Sequence, residues 1–175
     1  MNFESLAEGC SDTREEAFQL LQAAADAVIE TCEMQLELPL EKKGGAAKPD
    51  SGCSTFGSGI ALTDATGGYN LMIVGTEQST TTLTRRLFFM EDDMEVSQDE
   101  IADALGELVN VAGGYVKSHR DEGKPDLQLG LPLFLTGSGC IEFLASGVYA
   151  AAQPLEGPDD IRLQIIIIWK GSENG

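Results

Sequence analysis

SQDEIADALGELVNVAGGYVKSH, Ser97 to His119, reads as one helix whose two sides carry different information. Ser97 followed by Glu100 is a capping box, in which hydroxyl and carboxylate satisfy backbone donors that a helix start leaves open. At 100° per residue, Ile101, Leu105, Leu108, Ala112 and Val116 line one side, the apolar stripe of a helix resting on a core. Asp103, Glu107, Asn110, Gly114 and Lys117 line the other. Glu107 and Asn110 are close enough in the helical repeat to be surface neighbours addressing one target together. Gly106, Gly113 and Gly114 each cost roughly 1 kcal/mol relative to alanine inside a helix. Two readings account for them: an open platform from which Glu107 and Asn110 project into a partner, or a helix that packs under a strand or loosens at its end.

Upstream, Thr13 and Glu16 form a second apparent capping box. Phe18, Leu21, Ala25, Val28, Ile29 and Cys32 follow at helical spacing and predict a first long helix over about Arg14 to Met34 with Glu16, Gln19, Asp26 and Glu30 outward. Leu36, Leu38 and Leu40 alternate with polar residues and Pro39, the pattern of a short edge strand. Strand patterns resume at Cys53 to Thr63 and Tyr69 to Thr76, joined by the turn residues DATGG as a hairpin. Ser79 to Met90 predicts a shorter helix carrying Arg85 and Arg86 on a solvated face. The acidic run EDDMEVSQDE then places negative charge at the N-terminus of the opening helix, where the macrodipole favours it. After His119 come three further strand patterns, Leu127 to Leu135, Cys140 to Ala151 and Ile161 to Trp169, separated by TGSG and PLEGPDD. The last is apolar on both faces, so the face away from the helices needs cover from the chain itself or from a second subunit.

The chain repeats itself. SGCSTF at Ser51 to Phe56 recurs as SGCIEF at Ser138 to Phe143, each opening a strand pattern after a long helix. This predicts an internal duplication of a helix-plus-three-strand unit, with halves at about 13–90 and 97–170. At the spacing of the two capping boxes, Ala23 and Asp26 stand opposite Glu107 and Asn110; at the spacing of the hexapeptides, Leu20 and Ala23 do. Neither recovers the pair, and Glu16 with Gln19 on the first helix is an off-register imitation.

With 175 residues and 42% hydrophobic content the chain suits one domain, 1–175, with residues 1–12 and 171–175 loosely ordered. Lys and Arg number 11 against 29 Asp and Glu, a formal net charge of −18. That field repels a phosphate backbone, so nucleic acid and anionic membrane surfaces are poor partners. No apolar run reaches membrane-spanning length and the N-terminal residues carry no leader pattern, which predicts a cytoplasmic protein. Cys10, Cys32, Cys53 and Cys140 are scattered without metal-ligand spacing, so free thiols are expected and no metal site. His119 is the single histidine, and its place at a helix end makes it a C-terminal residue rather than a base for nucleophilic catalysis.

Gly106-Glu107-Leu108-Val109-Asn110-Val111-Ala112-Gly113-Gly114, preceded by Asp103-Ala104-Leu105, resembles the GE-(I/L)-x-N-(M/I) helix signature of the CheC/CheX/FliY chemotaxis phosphatases. A single such helix is similar to the CheX branch. Tyr115 is a departure, since the family often has Asn there. The resemblance implies an α+β, CheC-like fold: two long helices on a mostly antiparallel sheet of about six strands, assembled as a homodimer. It also implies a substrate, the aspartyl phosphate of a CheY-like response regulator whose own Mg²⁺ lies beside it, with no cofactor bound by this chain. By that analogy Asn110 orients the attacking water and Glu107 pairs with the regulator's lysine. Gly106 and Gly114 permit close approach, and Asp103 and Lys117 form the rim. The residue chemistry is compatible. Asparagine offers a donor and an acceptor on one plane and does not titrate, so it positions rather than abstracts. An ordinary exposed carboxylate is a poor base at neutral pH, which favours pairing over proton transfer for Glu107. A non-catalytic module that docks on a regulator or a flagellar switch component is the alternative that Tyr115 keeps open.

Overall fold

The computed structural model describes residues 11–50, 52, 56–65, 67–120, 123–137 and 148–170. Among the described residues three helices, α1 (Ser11–Leu36), α2 (Glu77–Leu87) and α3 (Gln98–Ser118), accompany seven strands. The strands are β1 (Glu41–Lys42), β2 (Phe56–Asp64), β3 (Gly67–Gly75), β4 (Gln128–Leu129), β5 (Leu133–Thr136), β6 (Tyr149–Glu156) and β7 (Arg162–Trp169). All pairings are antiparallel, in the order β1-β6-β7-β3-β2-β4, with β5 also on β2. This is the α+β architecture expected, with helices on one face of an antiparallel sheet.

The strand order is symmetric about the central β7–β3 pair. The residues before α3 supply α1, α2 and β1 to β3 and those after it β4 to β7, but α1 lies over β6 and β7 of the second half while α3 lies over β2 and β3 of the first. The halves are thus interleaved around one core that runs from Ala17 on α1 to Trp169 on β7. The second hexapeptide, the first apart from Gly52 and Phe56, Cys10, Cys53, Cys140 and residues 1–10 and 171–175 fall outside the described residues.

Periodicity dictates which side chains enter that core. On α3 the stripe Ile101, Leu105, Leu108, Ala112 and Val116 is buried as its spacing requires, and each large member contributes about 1.5–3 kcal/mol by leaving water. The capping box forms: Ser97 N–H donates to Glu100 Oε2 at 2.7 Å and Glu100 N–H to Ser97 Oγ at 3.3 Å. The hydrogen bonds from Ser97 hold the Glu100 carboxyl below its ordinary pKa. On α1 the small residues Ala17, Ala24, Ala25 and Ala27 are buried, which lets the helix sit close to its neighbours.

Four expectations about element boundaries and caps are corrected. The box at Thr13 does not form, because α1 begins at Ser11 and Glu16 is drawn to Arg120 instead. Leu36, Leu38 and Leu40 are buried in alternation, yet α1 runs through Leu36 and only Glu41–Lys42 makes a strand. The pattern Leu127 to Leu135 is two strands interrupted at Gly130–Pro132. β6 continues through Pro154 to Glu156. Pro154 O accepts from Lys43 N at 2.9 Å, and because a strand residue's N and O point the same way, its missing donor faces the β1 side and no bond to β7 is lost.

Arg85 and Arg86 do not form a solvated pair. Arg85 donates to Met94 O at 2.8 and 3.2 Å, and Arg86 to Leu36 O at 3.2 Å and Glu37 O at 3.4 Å, so they satisfy carbonyls of the α2–α3 connection and of the end of α1. The sheet's second face carries Met72, Val74, Ala152, Ile166 and Ile168, all buried within the single chain. The segment after β1 reaches this face: Asp50 N donates to Gln164 Oε1 and Gln164 Nε2 to Asp50 O, both at 2.8 Å. The apolar final strand therefore needs no second subunit to bury it.

Candidate functional site on the outer face of α3

Asp103, Glu107, Asn110 and Lys117 are all exposed, on the side of α3 opposite its buried stripe. Glu107 and Asn110 meet no hydrogen-bonding or ion-pairing partner among the described residues. A carboxylate and a carboxamide thus stand side by side on a rigid helix with their full capacity open: acceptors from Glu107, donor and acceptor from Asn110. Neither of two surface clefts, of about 650 and 700 Å³, is lined by them. An exposed pair on a helix face, outside both of these clefts, suits a macromolecular partner, since small-molecule sites are concave.

The three glycines separate into three roles. Gly114 is open: a Cβ there would meet nothing within 4 Å. Gly113 packs under the sheet, where a Cβ would meet Leu129 Cδ2 at 3.2 Å and Ile60 Cγ2 at 3.5 Å. Gly106, expected on the open platform, is buried, and its Cβ would lie 3.7 Å from Pro132 Cβ. The close approach at Gly106 is therefore made within the chain, by the segment between β4 and β5. Pro132 in the LGLPL string is the local signal for that break, since proline interrupts a ladder.

Tyr115 is turned to the end of the helix. Its ring stacks on His119 at 3.8 Å and 12°, while His119 Nδ1 lies 2.9 Å from Ser118 Oγ and 3.0 Å from Tyr115 O. His119 is the C-cap of α3, the role its position implied.

Just beyond that cap, a charged cluster that no local sequence pattern announces fixes the helix end. Arg120 donates to Glu16 at 2.6 and 2.9 Å and pairs with Asp64 at 2.7 Å, and Lys124 joins Glu16 at 3.3 Å. The Arg120 side chain is 7% exposed and that of Asp64 2%. Burial works against the Glu16 carboxylate, but the bonds and charges of Arg120 and Lys124 outweigh it and its pKa is lowered. Tyr69 borders the cluster, and burial, reinforced by the Glu16 charge, pushes its phenol upward. The partners are 104 residues apart for Glu16 and Arg120, so no local signal announces them.

The family model described as chemotaxis phosphatase CheX matches residues 59–155, more than half of the chain and including all of α3. The chain belongs to the CheX family. The fold agrees with solved members of this group. A CheC-like protein of Shewanella sp. PV-4 superposes with a TM-score of 0.70 at 15% identity, covering 87% of this chain and 97% of that one. CheX of Desulfovibrio desulfuricans gives 0.69 at 12% identity, with 87% and 99% covered. CheX in the CheX–CheY–BeF3–Mg²⁺ complex of Borrelia burgdorferi also gives 0.69, at 16% identity and the same coverage. At these identities the likeness shows the CheC-like fold alone. Comparison with curated proteins gives no match. Among the described residues no helix is long and apolar enough to cross a membrane, and no group of three or more His, Cys, Asp and Glu is placed to hold a metal ion. The one described free cysteine, Cys32, is buried, and that burial pushes its thiol to about 12.

Proposed function

We propose that this CheX-family chain stimulates hydrolysis of the aspartyl phosphate of a CheY-like response regulator in the cytoplasm. The observation that carries the proposal is the pairing, on one exposed helix face, of a carboxylate and a carboxamide that no described residue engages. Asn110 enters the regulator's active site and holds the attacking water in line with phosphorus. Catalysis by position suits a group that cannot titrate. Glu107 accepts a charge-assisted bond from the regulator's lysine and sets the orientation of docking. Gly114 leaves room for the partner's backbone, and Asp103 and Lys117 border the contact. The Mg²⁺ is the regulator's, and this chain contributes no ligand to it.

A relative crystallised as a CheX–CheY–BeF3–Mg²⁺ complex supports the choice of partner class. The likeness to CheX proteins also supports a homodimer, to be tested by mass in solution.

The test is to phosphorylate a panel of CheY-like regulators and follow phosphate loss. Wild type accelerates the loss for at least one regulator, Asn110→Ala abolishes nearly all of the acceleration, and Glu107→Ala removes most of it. An Asn110→Ala variant as active as wild type overturns the mechanism. Binding without acceleration by wild type identifies a docking module instead.

A further inference from the structure

Gly106 and Gly113 flank Asn110 at the i−4 and i+3 positions, so all three share one strip of the helix surface. The segment between β4 and β5 touches both glycines, through Pro132 at Gly106 and Leu129 at Gly113. It therefore runs along the helix past Asn110. Within it Leu131 is 89% exposed, and Leu129 is partly exposed at 37%.

The strand register explains why a leucine stands out here. Leu129 pairs with Leu62 and Leu133 with Gly59, so Gly130, Leu131 and Pro132 face only Ile60 and Ala61. One extra residue makes a bulge, a device that re-aims a side chain at a sheet edge. Gly130 N donates to Ala61 O at 2.8 Å and keeps the pairing on one side of the bulge, while Pro132 rests on Gly106 on the other. Leu131 is the residue between them, displayed beside the helix. Leu133 differs: its partner Gly59 faces Met72 of the second sheet face, so Leu133, 63% exposed, points away from α3.

We infer that Leu131, supported by Leu129 and Pro132, is an apolar anchor for the response regulator that Asn110 enters. The inference rests on the function proposed above and extends its contact surface. The occupant follows from continuity and charge. The leucine edge adjoins Asn110, and the exposed row Asp99, Asp103 and Glu107 on the same helix supplies an acidic border. A fitting partner surface has an apolar depression beside basic residues, with the regulator's lysine among them. Such an arrangement places an apolar anchor within a charged rim that selects the partner.

The experiment measures phosphate loss across a range of concentrations of a CheY-like regulator that the wild type dephosphorylates. Leu131→Asp raises the half-saturating regulator concentration about tenfold, the loss of one anchor worth about 1.4 kcal/mol, and leaves the saturating rate within twofold. Leu133→Asp, on the opposite face of the same edge, changes neither by more than twofold. A Leu131→Asp variant indistinguishable from wild type overturns the inference while the phosphatase reading stands. Equal losses in both variants with a fall in solution mass assign the edge to a second copy and also overturn it. If wild type stimulates no regulator, both readings fall together.

Discussion

Helices α1 and α3 occupy matching places over the interleaved sheet, yet their outward polar residues are spent differently. On α1, Glu16 is held by Arg120 and Lys124, and Asp26 by Lys42 at 2.6 Å. Lys42 also donates to Gln22, which in turn donates to Gln153. On α3, Glu107 and Asn110 engage no described residue. Two helices under the same packing requirement thus separate a face that stabilises the molecule from a face available to a partner. What the fold needs of either helix is its buried stripe, and the uncommitted pair on α3 is surplus to that need.

The largest effect that sharpens this contrast is expected in the charged cluster that holds Glu16 of α1. Arg120→Ala leaves two carboxylates of low exposure without their shared cation and destabilises by about 3 kcal/mol in denaturant unfolding, as for a broken buried pair. Loss below about 1 kcal/mol would return the cluster to the status of an ordinary surface ion pair. The same cluster sets an acid limb. Glu16 has a lowered pKa in the folded chain, so its contribution is present above the ordinary carboxylate value and is lost as pH falls through the lowered one. Glu16→Gln flattens that part of the stability–pH curve. A curve that Glu16→Gln leaves unchanged would remove this cluster from the acid limb.

These residues also mark where reading the sequence succeeds and where it stops. The capping box and stripe of α3 are short-range patterns within one helix, and the structure realises both. The box at Thr13 was misread because Glu16 has a stronger partner far along the chain. Leu36 to Leu40 alternate in burial as a strand would, but an alternating pattern does not supply a neighbouring strand to bond. The bulge at Gly130–Pro132 was invisible because it depends on register with β2, and with it went the true setting of Gly106. Of the site, the outward pair and its rim were legible from helical geometry. The leucine edge beside them was not, since it is brought there by the sheet.

Smaller effects test the open face of α3. Gly114→Ala stabilises by about 0.5–1 kcal/mol, because a methyl there meets no neighbour and a helix-interior glycine is costly. The same change slows regulator dephosphorylation several-fold by crowding the approach. A stabilised variant with undiminished activity would remove Gly114 from the contact. The smallest effect belongs to the imitation on α1: Gln19→Ala alters stability by less than about 0.5 kcal/mol and leaves stimulation intact.

The central claim is that Asn110 supplies chemistry on a face that docks without it. Asn110→Ala added in excess to wild type and a phosphorylated CheY-like regulator tests this most directly. The account predicts a variant that stimulates almost no phosphate loss by itself, binds the regulator with near wild-type strength and suppresses the wild-type rate by competition. An Asn110→Ala protein that dephosphorylates the regulator as fast as wild type would contradict it.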